Sequence, residues 1–203
     1  TGLPQEQSAP LIRQLEAVGV VCSIFAVAVE PTLDLIQQGV QLAREARCDL
    51  VIGFGGGSTI DAGKAIAALL TNSGELMDYL EVIGKGKPLS VPSAPCIAIP
   101  TTAGTGAEVT RNAVLASPEH RLKVSLRSPL MLARLAVVDP ELTYELPPAI
   151  TAATGLDALT QLIEPYVSIR ANPMTDGFCM EGMRRLGRSL RRAYHQGRDR
   201  EAR

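Results

Sequence analysis

An α/β fold with a largely parallel sheet, followed by an all-helical segment, is predicted by three features of the sequence. Short apolar runs alternate with helix-patterned stretches as far as Asp139-Pro140. Two of those runs, Leu50 to Phe54 and Cys96 to Pro100, empty into loops of glycine, serine and threonine. Past Asp139-Pro140 the strand-like runs stop and nearly everything from Ala149 to Arg203 carries a helical pattern.

Taken in order, Leu11, Ile12, Leu15 and Val18 recur at helical spacing between Ser8 and Gly19, and Val20 to Val29 then reads as a β-rich strand. After Glu30-Pro31-Thr32 a second helix is expected to present Ile36, Val40 and Ala43 on one face. Leu50 to Phe54 is a buried strand that ends in Gly55-Gly56-Gly57-Ser58. A helix rich in alanine and leucine follows, closed by Thr71-Asn72-Ser73-Gly74. A Gly, Lys and Pro-rich loop from Gly84 to Pro95 leads to the strand Cys96 to Pro100 and then to Thr101-Thr102-Ala103-Gly104-Thr105-Gly106. Ligands of such a sheet sit beyond the carboxyl ends of its strands, where both small-residue loops lie. Pro147 and Pro148 suit a helix start, with a break near Asn172-Pro173, which places the domain boundary near Leu146.

Composition agrees with a layered core. Apolar residues make up 46% of the 203 positions, but aromatics only 3% and tryptophan none, so Ala, Val, Leu and Ile must fill the interior. Twenty basic and 21 acidic side chains leave a formal charge of −1, too little to hold the chain on nucleic acid or an anionic membrane. The arginines between Arg184 and Arg203 read as the solvated face of a helix with Glu and Asp interspersed. No apolar run approaches the roughly 20 residues that span a bilayer. Cys22, Cys48, Cys96 and Cys179 are widely spaced, without a C-x-x-C pair, and read as reduced core thiols of a cytoplasmic protein.

A strand that delivers three glycines and a serine to a helix start places bare backbone N–H groups at a positive dipole end, an arrangement suited to a diphosphate. A tight turn with no ligand is the competing explanation. It is not a Walker A loop: five residues rather than four separate Gly57 from Gly63-Lys64, and Ala65 stands where a Mg²⁺-binding hydroxyl is needed. The G-x-G-x-x-G fingerprint also fails, with Ile60 at its last glycine, and no nucleophile elbow surrounds Ser58.

Four segments together, GGGSTIDAGKAIA (Gly55 to Ala67), IPTTAGTGAEVT (Ile99 to Thr110), VVDPELT (Val137 to Thr143) and TGLDALTQLIEPYVS (Thr154 to Ser168), resemble the iron-containing (group III) alcohol dehydrogenases of the dehydroquinate synthase-like superfamily. The resemblance implies a Rossmann-like nucleotide-binding domain over residues 1–146, lacking its first strand, and the beginning of a helical metal-binding domain over 147–203. It implies NAD or NADP as cofactor, with Gly56, Gly57 and Ser58 around the pyrophosphate and Asp61 beside it. Thr101, Thr102 and Thr105 would contact the adenosine and phosphate side, and Lys123 the nicotinamide ribose. It also implies a small-molecule alcohol or aldehyde as substrate, no nucleic-acid or membrane partner, and pairing of two copies through the first domain.

For the metal, Fe²⁺ or Zn²⁺ in an intact relative, the family supplies an aspartate and a histidine four residues later. Asp157 matches the first, and position 161, on the same helix face, is Gln161. A glutamine offers one neutral oxygen, a weaker ligand for a transition metal than imidazole. His120 and His195 match neither position. The chain is expected to be truncated at both ends, with Gly2 where an acid would select NAD over NADP. Three functions follow: an alcohol dehydrogenase, a non-catalytic nucleotide-binding fragment or pseudoenzyme of that family, and a related glycerol dehydrogenase or maleylacetate reductase.

Overall fold

In the computed structural model, which describes residues 5–203, the helical spacing of Leu11, Ile12 and Leu15 becomes α1 (Gln5–Ala17). Gly2 lies outside the described residues. α2 (Leu33–Glu45) starts where Thr32 turns its hydroxyl to accept from Leu35 N at 3.2 Å, and it buries Ile36, Val40 and Ala43 as its sequence predicts. β1 (Val51–Gly55) leads through the glycines into α3 (Gly57–Thr71), of which ten residues are buried. Two glycines allow helix and strand to lie that close. A Cβ on Gly63 would stand 3.3 Å from the Cα of Gly53, and one on Gly53 3.1 Å from the Cα of Ile60.

β2 (Cys96–Pro100) runs parallel to β1, from Val51 level with Cys96 to Gly55 level with Pro100. β5 (Leu135–Ala136) adds to its other side, completing the three-stranded parallel order β1-β2-β5. A separate antiparallel hairpin of β3 (Asn112–Ser117) and β4 (Leu122–Arg127) was not apparent in the sequence pattern. Its inner face buries Ala113, Leu115, Val124 and Leu126, which join α2, α3 and a short helix α4 (Leu76–Tyr79) in the main core.

The predicted strand Val20 to Val29 does not form: residues 18–29 carry no strand, and among the described residues β1 pairs with β2 alone. β-branched composition describes a residue that fits a pleated surface, and a strand exists only where a neighbouring backbone supplies the ladder. Val21 here is 94% exposed, and residues 20–25 line an apolar cavity of about 210 Å³ together with residues 48–52 of β1's approach and Leu11 and Leu15 of α1.

The end of α3 is fixed by a buried asparagine. Asn72 Nδ2 donates to Ala68 O at 3.0 Å and Val91 O at 3.1 Å, while its Oδ1 accepts from Ser90 N at 2.9 Å and Val91 N at 3.2 Å. The loop that Gly84 to Pro95 was expected to form is thereby tied to the helix. Asn72→Ala takes this partner from Val91 O and from the N–H groups of Ser90 and Val91, Ala68 O keeping the backbone N–H of residue 72, and is expected to lower unfolding stability by about 3 kcal/mol, each orphaned group costing roughly 1–3 kcal/mol. Urea denaturation measures it; a loss below about 1 kcal/mol would show that water replaces the amide.

By Cα packing the chain divides into two compact units, one comprising the chain up to Pro100 with Ala107–Val138, the other Thr101–Gly106 with Asp139–Arg203. In the second, α5 (Pro148–Tyr166) packs against α6 (Pro173–His195), which Asn172 caps by accepting from Thr175 N. Two glycines admit leucines from the facing helix. A Cβ on Gly155 would meet Leu190 at 2.2 Å and one on Gly182 would meet Leu162 at 2.7 Å. Arg184 and Arg185 pair with Glu181, and Arg192 with Asp199 and Glu201, so part of the arginine-rich end is a charge-paired exposed face. No helix among the described residues is long and apolar enough to cross a membrane.

Candidate cofactor and metal residues

β1 and β2 end level with each other, and the glycine turn follows the first directly. Gly56 is the N-cap of α3, with extended backbone (φ −73°, ψ −178°) and no side-chain cap. Thr59 N and Ile60 N bond back to Gly56 O at 3.0 and 3.1 Å. The first N–H groups, those of Gly57 and Ser58, have no acceptor within the helix and mark its positive end. Ser58 is exposed and Gly56 and Gly57 half-buried, so an anion can approach this backbone. The turn fits a diphosphate.

Asp61, one helical turn on, faces inward instead. Its Oδ2 accepts from Val114 N at 3.0 Å, and Oδ1 lies 2.9 Å from Lys64 Nζ as an ion pair without hydrogen-bond alignment. Burial pushes its carboxyl above the ordinary aspartate range, with Lys64 and the Val114 N–H pulling the other way. Lys64 has no exposure at all. Its Nζ donates to Ala107 O at 2.8 Å, Thr110 Oγ1 at 3.0 Å and Asn112 O at 2.5 Å, so one cation from α3 holds the backbone that enters the hairpin. Sequence reasoning missed Lys64. The signal was a lysine three residues after an aspartate inside an otherwise alanine and isoleucine-rich helix, where a charge is tolerated only if paired.

Lys123 lies on β4, exposed, and pairs with Glu30. Of the loop threonines, Thr101 is buried, Thr102 half-buried and Thr105 exposed. The four cysteines are free thiols, and burial pushes the Cys96 thiol up to about 11, so it stays protonated as a core residue.

Asp157 and Gln161 stand together on α5. Gln161 Nε2 donates to Asp157 Oδ2 at 2.9 Å and to Gly104 O at 3.0 Å. The carboxylate is thus faced by an NH₂ group where a metal ligand would present a lone pair. His120 Nδ1 is engaged by Ser117 Oγ at 2.8 Å, and His195 stacks edge-on with Tyr194. No group of three or more His, Cys, Asp or Glu side chains among the described residues is arranged to hold a metal. Asp157 with Gln161 is therefore not a complete site for a transition metal.

Comparison with known proteins decides the lineage. Residues 4–140 match the iron-containing alcohol dehydrogenase family, and residues 151–203 match the C-terminal part of the Fe-containing alcohol dehydrogenase family. The chain belongs to the iron-containing alcohol dehydrogenase family. Long-chain-alcohol dehydrogenase 1 of Geobacillus thermodenitrificans is 42% identical over 202 residues, covering 100% of this chain and 50% of that protein. The solved structure of a 1,3-propanediol oxidoreductase superposes with a TM-score of 0.90 at 36% identity, over 100% of this chain and 52% of that one. A sulfoacetaldehyde reductase from Bifidobacterium kashiwanohense, solved in complex with NAD⁺, gives 0.88 at 33% identity, over 97% and 52%. The chain spans about half the length of the curated relatives it matches. The α/β architecture with its helical C-terminal part is thus that of the iron-containing alcohol dehydrogenases, as the four sequence motifs imply.

Proposed function

We propose that this chain is the cofactor-binding part, with the first helices of the metal-binding part, of an NAD(P)-dependent alcohol dehydrogenase that moves hydride between a small-molecule alcohol or aldehyde and nicotinamide. The observation that carries the proposal is the uncapped amino end of α3 at Gly56, Gly57 and Ser58, an anion seat following directly on a parallel strand. The names of relatives as alcohol dehydrogenases, and the NAD⁺ bound in the structurally similar sulfoacetaldehyde reductase, support the same reading.

In this reading Gly56 to Ser58 hold the pyrophosphate by backbone N–H groups, Thr101, Thr102 and Thr105 serve the adenosine and phosphate side, and Lys123 reaches the nicotinamide ribose. Asp61 stands beside the pyrophosphate, its carboxylate held by Lys64 and the Val114 N–H. The bound nicotinamide supplies the hydride-accepting carbon. Asp157 is the metal-ligand type of side chain that this chain contributes. Residues 1–146 are taken as the nucleotide-binding domain and 147–203 as the start of the helical one. The setting is cytoplasmic, two copies pair through the first domain, and neither nucleic acid nor membrane is a partner.

A fluorescence titration with NADH and NADPH, followed by alcohol-dependent reduction of NAD⁺ and NADP⁺ with and without Fe²⁺ or Zn²⁺, tests it. Cofactor binding with turnover is the expected outcome for the complete enzyme. Binding without turnover identifies a non-catalytic nucleotide-binding chain, the reading that Gln161 at the metal helix favours. Failure to bind either cofactor sinks both. A substrate panel including glycerol and maleylacetate separates the related dehydrogenases and reductases.

A further inference from the structure

We propose that Gln161 is a metal-independent clasp: its carboxamide NH₂ bridges the Asp157 carboxylate and the Gly104 carbonyl, fastening the Thr101–Gly106 loop to α5 and filling the position from which a metal ligand would act. Three observations converge on it. The same terminal atom of Gln161 lies 2.9 Å from Asp157 Oδ2 and 3.0 Å from Gly104 O. Both neighbours are acceptors only, so the group between them has to be the NH₂; turning the amide over would bring three oxygens together with no donor.

The loop is also brought to this helix by shape. Gly104 lies so close to α5 that an added Cβ would stand 2.7 Å from Thr154 O, 2.8 Å from Thr154 Cβ and 3.0 Å from Thr154 Cα. Thr154, Asp157 and Gln161 fall at i, i+3 and i+7, on one face of the helix, so the contact at Thr154 and the bridge at Gln161 belong to a single stripe. Thr154 spends its own hydroxyl on Ile150 O at 2.9 Å, and Gln161 supplies a side-chain hydrogen bond from helix to loop.

A cation could use Gln161 only through its oxygen, and the amide would have to release both acceptors to present it. The clasp therefore opposes metal binding at Asp157 and makes loop attachment independent of metal. The contacts stand without the proposed dehydrogenase function, and only their consequence for metal affinity rests on it.

Hydrogen exchange of the 101–106 peptide, measured without nucleotide or metal, isolates the clasp. Gln161→Leu, one atom shorter and apolar, removes the donors and should speed exchange about tenfold. Gln161→Lys restores a donor able to reach both oxygens and should return it to within about threefold of the parent. Equal exchange in the parent and Gln161→Leu, or no difference between the Leu and Lys variants, would overturn the proposal. In parallel, calorimetric titration with Zn²⁺ should show binding at least tenfold tighter in Gln161→His than in the parent. Parent binding as tight as the His variant's would refute the metal-opposing role, whatever the cofactor titration gives.

Discussion

Replacing Lys64 with methionine is expected to cost about 3–5 kcal/mol of unfolding stability, the range seen when one partner of a buried pair is removed. Methionine nearly matches lysine in length and is apolar, so the loss is electrostatic rather than a cavity. Asp61 loses the cation 2.9 Å from Oδ1, and the carbonyls of Ala107 and Asn112 lose the donor that reached them at 2.8 and 2.5 Å. The double variant Lys64→Met, Asp61→Asn should recover part of that loss, because the neutral amide can still accept from Val114 N without a stranded charge.

The pH dependence of the single variant has a definite sign. Burial already raises the folded-state pKa of Asp61, and removing Lys64 raises it further, so the folded state holds a proton that the unfolded chain releases at its ordinary value of 3.8. A folded state that binds the extra proton loses stability as pH rises. The deficit relative to the parent should therefore be smallest below pH 3.8 and grow as pH climbs through the raised folded pKa. Guanidinium titrations at several pH values measure it. A deficit under about 1 kcal/mol, or one that grows towards acid, would show that water or a rearranged loop has replaced the lysine.

Elements whose stability is local were legible in the sequence. α2 declared itself through Ile36, Val40 and Ala43, and the β1-glycine-α3 sequence through an apolar run that breaks at Gly55. What the sequence could not carry depended on partners distant along the chain. Val20 to Val29 has strand composition, but pairing is a property of two backbones, and no strand among the described residues pairs with residues 18–29. The β3-β4 hairpin is half small residues on its first strand, Ala113, Ala116 and Ser117, so its alternation is faint until α3 covers it.

The candidate site divides along the same line. The turn at Gly56 to Ser58 could be read because it is made of backbone, whose geometry follows from glycines between a strand and a helix. The neighbours of Asp61 and Gln161 could not. Asp61 was expected beside the cofactor, and both its oxygens face Lys64 and a hairpin N–H 53 positions away. Gln161 read as a weak ligand for a metal, and its bridge to Gly104 spans 57 positions. Burial and long-range hydrogen bonds decide both roles, and neither leaves a local pattern.

Changing Ser58 to aspartate should separate the site from the fold, because its effects on the two have opposite signs. Ser58 is exposed in the first turn of a helix that has no side-chain cap. A carboxylate there meets the positive end of the helix dipole and should stabilise the free protein by about 0.3–1 kcal/mol. The same charge would confront a diphosphate seated on the N–H groups of Gly57 and Ser58. Weakening of NADH binding by about 10–100-fold is expected, or roughly 1.4–2.7 kcal/mol. Ser58→Ala, which keeps those backbone groups, should bind within about threefold of the parent, since the backbone N–H groups carry the contact. The binding deficit of Ser58→Asp should also shrink between low and high salt, as expected for a repulsion between partly solvated charges. A variant that melts higher yet binds NADH as well as the parent would place the diphosphate away from α3 and remove the observation on which the dehydrogenase reading rests. A variant that melts higher and binds poorly would locate the cofactor at this turn, in the absence of any metal.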